Sequence, residues 1–213
     1  MNRSKLAQEV IEGLSKELSS SGTDLNYSTD FQLLTAVILS AQCTDERVNI
    51  VTKELFRELS SPKDFYKIEQ SKLEKLIFST GFYRTKGANI KKCAKIILEE
   101  HNGKVPNSLE ILVKMPGIGR KTANVVLGEL FSISEGVVVD THVKRLAKRI
   151  GLTKESNPEK VELDLMKFVS RDRWIAISNL LIRHGRKYCS ARKPKCSICP
   201  IEKICKYKGK VIK

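Results

Sequence analysis

No stretch of this 213-residue sequence is long and apolar enough to cross a bilayer. The most hydrophobic run, FQLLTAVILSA at residues 31–41, is too short and already contains Gln32 and Thr35. The opening MNRSKLAQEVIEGL has neither an apolar h-region nor a small-residue cleavage site, so a secretory leader is not expected and an intracellular, cytoplasmic setting is. There is no repeat, no low-complexity tract, no obvious linker and no nucleotide-cofactor signature. Negative charge is scarce: 24 Asp and Glu face 39 Lys and Arg, a net charge of +15. So basic a chain is a poor match for acidic metabolites alone and a good one for a partner of dense negative charge, nucleic acid first. With 41% apolar and 30% charged residues it is not a disordered tail, and its length allows one large or two small packed domains.

Helical periodicity dominates the rest. Leu6, Val10, Leu14 and Leu18 form one face of a first helix, closed by the Ser19–Gly22 run. Thr29 or Asp30 caps a helix through Leu39. Thr44 or Asp45 caps another, with Val48, Val51, Leu55 and Leu59 inward. Ser61-Pro62 breaks the chain, and short helices follow at 64–69 and 71–78, the second ended by Gly81. A longer helix is expected over 85–100, then helices at 108–115, 120–130, 141–150, 159–169 and 174–184. Val137-Val138-Val139 has no partner strand in sight and reads as an extended lead-in. The expected fold class is all-α.

Two segments carry chemistry. In Leu112-Val-Lys-Met-Pro-Gly-Ile-Gly-Arg-Lys-Thr-Ala123, Pro116 ends one helix, and Gly117 and Gly119 permit positive φ and leave the backbone uncovered. Ile118 anchors the loop. The next helix starts with amides that form an anion site for a DNA phosphate, with Arg120 and Lys121 adding charge. In the second segment, Cys189-x6-Cys196-x2-Cys199-x5-Cys205, four thiolates suit either Zn²⁺ or a [4Fe-4S] cluster. Clustered cysteines in a reducing compartment point to metal rather than disulfides. The remaining Cys43 and Cys93 read as packed thiols.

PGIGRKTA resembles the helix-hairpin-helix of the endonuclease III family of DNA glycosylases. LLTAVILSAQCTD at 33–45, VVVDTHVKRLAKRIGL at 137–152 and the cysteine spacing extend the resemblance over essentially the whole chain. It implies two helical domains, residues 23–133 with the hairpin and residues 1–22 plus 134–213 with a C-terminal [4Fe-4S] cluster loop. It also implies damaged double-stranded DNA as partner, bound in the cleft between the domains, and a monomer, nucleoid-associated if prokaryotic.

The family's chemistry maps onto named residues. Lys121 would attack the sugar C1′, expel the base and form a Schiff base, with β-elimination cutting the strand 3′ to the lesion. A lysine amine is nucleophilic only when neutral. A helix first turn and Arg120 disfavour the ammonium, whereas a nearby carboxylate favours it. Asp140 precedes Thr141 and reads first as an N-cap. A capped carboxylate stays charged and can stabilise a cationic sugar. Relatives specific for adenine or thymine mismatches lack the lysine, so its presence implies a bifunctional glycosylase and AP lyase; the resemblance as a whole implies oxidised pyrimidines and abasic sites as substrates.

Gln42 matches the residue that bonds the orphaned partner base. Phe82 stands where many relatives carry leucine, as the apolar wedge. Cys189, Cys196, Cys199 and Cys205 would hold the cluster. Arg192, Lys193 and Lys195, in the loop between the first two cysteines, suggest phosphate contact. His142 is expected to be structural.

Overall fold

The computed structural model describes residues 2–20 and 22–209; Ser21, in the run expected to close the first helix, lies outside them. In chain order the helices are α1 (Arg3–Ser15), α2 (Asp30–Leu39), α3 (Asp45–Glu58), α4 (Pro62–Lys67), α5 (Gln70–Ile77), α6 (Tyr83–Glu100), α7 (Leu109–Leu112), α8 (Arg120–Phe131), α9 (Thr141–Ile150), α10 (Pro158–Phe168) and α11 (Trp174–Lys187). Short 3₁₀ turns sit at Phe78–Thr80, Arg171–Arg173, Cys196–Ile198 and Glu202–Ile204. No strand occurs among the described residues, and 137–139 belongs to no regular element. The chain folds as two compact units, Asp24–Ile133 and Met1–Thr23 with Ser134–Lys213.

The first unit is built around α2. Every residue of α2 after Asp30 is buried, because the LLTAVIL run is apolar on all faces. Burying Leu33 and Leu34 completely is worth about 1.5–3 kcal/mol each. Its one buried amide is satisfied: Gln32 Oε1 accepts from the Ser28 N–H at 2.8 Å. Thr29 and Thr44 cap α2 and α3 through their hydroxyls, each accepting a backbone N–H three residues on. Ser61 and Asp64 form a reciprocal capping box on α4. The long helix α6 packs against α2, α4 and α5, and its inward face is Ile90, Cys93, Ala94 and Ile97.

The second unit gathers α1, α9, α10 and α11. Leu6, Val10 and Leu14 of α1 are buried with Val143, Leu146, Leu180 and Leu181. Leu18 lies beyond the end of α1 and packs half-buried on the same core. The segment after α1 is tied to α11: Arg183 donates to the Ser19 and Gly22 carbonyls and Asn179 to the Ser20 carbonyl.

Several boundaries depart from the sequence reading: α4 lies two residues earlier than expected and α11 runs three residues further, to Lys187. The helix expected over 108–115 keeps only the turn Leu109–Leu112, because Met115 bonds back to Leu112 and Ile118 to Met115 in tight turns. Hence Pro116 comes after a turn rather than ending a helix. α5 stops at Ile77, and the 3₁₀ turn Phe78–Thr80 separates it from Gly81 at φ +70°. α6 begins two residues early, at Tyr83.

Candidate functional site

The hairpin joins α7 to α8. Gly117 has φ +78°, and a Cβ there would lie 2.5 Å from the Asn89 amide nitrogen of α6. Glycine is therefore favoured by the backbone conformation, and any side chain there would have to displace the Asn89 amide. Gly119 differs from expectation: at φ −86° and ψ 172° it is extended and needs no positive φ. A Cβ on it would meet nothing within 4 Å, so the backbone there is uncovered. Ile118 is buried, and the Cys93 thiol donates to the Pro116 carbonyl at 3.3 Å, which pins the loop on α6. Burial pushes the Cys93 thiol up to about 12, as suits a packed rather than reactive thiol. No side chain caps α8. Arg120 and Lys121 occupy its first turn, both exposed.

Gln42 and Phe82 lie on two loops of the same unit. Both are exposed and both adopt the left-handed conformation, φ 54° and 47°. Phe82 is 65% exposed and does not pack in the core. An exposed phenylalanine held at positive φ is uncommon, and such backbone strain is concentrated at functional sites.

Asp140 belongs to the other unit. It is the N-cap of α9, its Oδ1 accepting the Val143 N–H at 2.8 Å. His142 is half-buried beside the Gly185 backbone, and its Nδ1 is 3.1 Å from the Arg145 guanidinium, a packed position.

All four clustered cysteines line one cavity, with His184, Arg149 and Tyr207 among its walls. Among the described residues no three His, Cys, Asp or Glu side chains converge closely enough to hold a single metal ion. Four thiolates around one cavity are the soft donor set that an iron–sulfur centre takes. The surroundings supply donors to sulfur: Arg149 Nη1 is 3.3 Å from Cys189 Sγ and His184 Nε2 is 3.7 Å from Cys199 Sγ. Burial lowers His184 to about 4 and raises the Cys199 thiol to about 11. The donor set fits an iron–sulfur cluster.

Two residues of this region escaped the sequence reading. Arg145 and Arg149, four apart on α9, bind the chain after α11. Arg145 donates to the Cys189 carbonyl at 2.9 Å, and Arg149 to the Ser190 and Ala191 carbonyls at 2.8 and 2.7 Å. The i, i+4 spacing of two arginines on one helix was the available signal. Between the cysteines, Ser190 and Lys193 close a tight turn, leaving Arg192, Lys193 and Lys195 exposed.

With this geometry in place, comparison with known proteins is decisive. Residues 35–171 match the HhH-GPD superfamily base excision DNA repair protein family, and residues 189–205 match the iron-sulfur binding domain of endonuclease III. The chain belongs to the endonuclease III family. It is 46% identical to endonuclease III of Synechocystis sp. over 96% of this chain and 93% of that protein. It is 40% identical to endonuclease III of Escherichia coli over 99% of both. A solved trapped endonuclease III–DNA covalent intermediate superposes with a TM-score of 0.88 at 37% identity, covering 96% of each chain. Membership of the endonuclease III family makes the chain a base excision repair enzyme of the DNA glycosylase/AP lyase class that carries a [4Fe-4S] cluster.

Proposed function

We propose that this endonuclease III family member removes oxidised pyrimidines from duplex DNA and cuts the strand 3′ to the abasic site through a Schiff base on Lys121. The observation that carries the reading is the placement of Lys121. It is an exposed lysine in the first turn of a helix that no side chain caps, next to an uncovered glycine backbone able to approach a phosphate. A trapped covalent complex in a relative of the same fold supports a covalent route here.

In this reading the neutral Lys121 amine bonds to the sugar C1′ as the base departs with its bonding electrons. Ring opening gives the Schiff base. Loss of the C2′ proton then expels the 3′ phosphate, and water releases the lysine. Asp140, oriented by its cap bond, stabilises the cationic sugar. Phe82 wedges the stack and the Gln42 amide bonds the orphaned base. Gly117, Gly119 and Arg120 on the hairpin, and Arg192, Lys193 and Lys195 on the cysteine loop, engage phosphates. Cys189, Cys196, Cys199 and Cys205 hold the cluster, which staples a segment with little core of its own. In this reading, as the family resemblance implies, the protein works as a monomer in the cytoplasm.

The test is product analysis on three duplexes carrying thymine glycol, an abasic site or no damage. Release of thymine glycol with a 3′ unsaturated aldehyde end on the nicked strand supports the reading. Base release that leaves the strand intact, even under prolonged incubation, contradicts the lyase half. Cleavage of the abasic duplex alone contradicts the assigned base preference.

A further inference from the structure

Lys86 is buried to 5% exposure in the first unit, where its ammonium bonds main-chain carbonyls and, among the described residues, pairs with no carboxylate. Its Nζ donates to the Leu39 carbonyl at 2.8 Å and to the Thr80 carbonyl at 2.7 Å. Leu39 is the last residue of α2 and Thr80 the last of the 3₁₀ turn after α5. Carbonyls at helix ends lack the amide four residues on, so both need an outside donor. A cation at the end of α2 also meets the negative end of the helix dipole.

Each of these carbonyls stands just ahead of a strained loop residue. Three residues beyond Leu39 is Gln42, and two beyond Thr80 is Phe82. Among the described residues only four non-glycine positions have positive φ, and these are two of them. The others, Asn102 and Ser132, simply terminate helices α6 and α8. One buried ammonium thus ties together the roots of two exposed, strained loops that lie far apart in sequence. Burial disfavours the charged form of Lys86, and partly offsetting attraction comes from Cys43, next to Gln42. An apolar side chain would fill the same space without desolvating a charge, but it would leave both carbonyls unpaired.

We infer that Lys86 is a positioning residue that fixes the spacing between Gln42 and Phe82, so that wedge and base-pairing substitute enter the duplex together. The inference rests on the reading of Gln42 and Phe82 as the lesion-access pair. Lys86 acts before the chemistry and does not touch the reacting atoms.

Single-turnover rates on two substrates test it with the full-length, cluster-bearing protein. One substrate is a duplex with thymine glycol, which requires extrusion of the base. The other is a single strand with a preformed abasic site, which has no stack to open. Lys86→Met is expected to slow base release from the duplex by about tenfold or more, since misplacing positioning groups by about 1 Å can cost a hundredfold. Cleavage of the single strand stays near the wild-type rate. Equal rates on the duplex, or equal slowing on both substrates, overturns the inference. If Lys86→Met does not fold, Lys86→Gln, which keeps a donor for one carbonyl, is judged by the same criterion. Gln42→Ala and Phe82→Ala run alongside. If neither slows the duplex reaction, the lesion-access reading itself fails and takes the inference with it. If both do and the Lys86 variant does not, the inference alone fails.

Discussion

The Asn89 amide of α6 occupies the space that a side chain on Gly117 would need, 2.5 Å from the position of its Cβ. The hairpin is therefore seated on α6 by contact as well as by the Pro116 carbonyl bond to Cys93. Gly117→Ala should cost about 1–2 kcal/mol for the left-handed conformation alone, with the clash added. DNA affinity should fall with it. The double variant Gly117→Ala/Asn89→Ala should recover the steric part only. Thermal melting and DNA titration of the three proteins measure this, and full recovery in the double variant would show that conformation at residue 117 does not matter.

Asp140 has two separable duties. Asparagine caps a helix about as well as aspartate, so Asp140→Asn should melt close to wild type while base release drops sharply. Asp140→Ala loses the bond to Val143 and should cost about 1 kcal/mol, close to 2–4 °C in a chain of this size. Differential scanning calorimetry beside single-turnover base release separates the two. Wild-type activity in Asp140→Asn would confine the residue to capping.

The exposed cations between Cys189 and Cys196 should register as a salt dependence. Each phosphate contact contributes about 0.9 to the slope of log K against log salt on duplex DNA. Replacing Arg192, Lys193 and Lys195 with alanine should flatten that slope by about 1–3 while sparing the rate of single-turnover chemistry at saturation. Titration of undamaged duplex at several salt concentrations gives the slope, and an unchanged value would place these side chains away from the phosphates.

Much of this was legible in the sequence, and what was not has physical reasons. Caps were legible at Thr29 or Asp30, at Thr44 or Asp45 and at Asp140, because a short polar side chain ahead of an apolar period is a local signal, and the structure selects the two threonines. The PGIG turn and the four-cysteine spacing are local too. The helix over 108–115 was overextended because Val113 and Met115 continue the apolar pattern, while tight turns ahead of Pro116 take their backbone bonds. Positive φ was expected at both hairpin glycines, yet only Gly117 faces an obstacle; Gly119 serves by leaving space. Lys86 was invisible among 39 cations, because its partners are main-chain carbonyls 47 and 6 residues away and carry no side-chain signature.

Loss of a cluster ligand should have a local effect. Cys196→Ser should lower iron content and open residues 189–205 to proteolysis, since that segment holds only two 3₁₀ turns and buries Ile201 and little else. Far-UV helicity should barely change, because α1 to α11 lie outside it. Iron analysis and limited proteolysis check this, and full iron content in the variant would remove Cys196 from the ligand set.

The most direct measurement of the central claim is borohydride trapping on a thymine glycol duplex, comparing the wild type with Lys121→Gln. Reduction of a Schiff base leaves a stable protein–DNA adduct. The account predicts an adduct with the wild type, mapped by peptide mass to Lys121, and none with Lys121→Gln at matched DNA occupancy. An adduct of undiminished yield in Lys121→Gln would show that another amine carries the chemistry and would contradict the assignment.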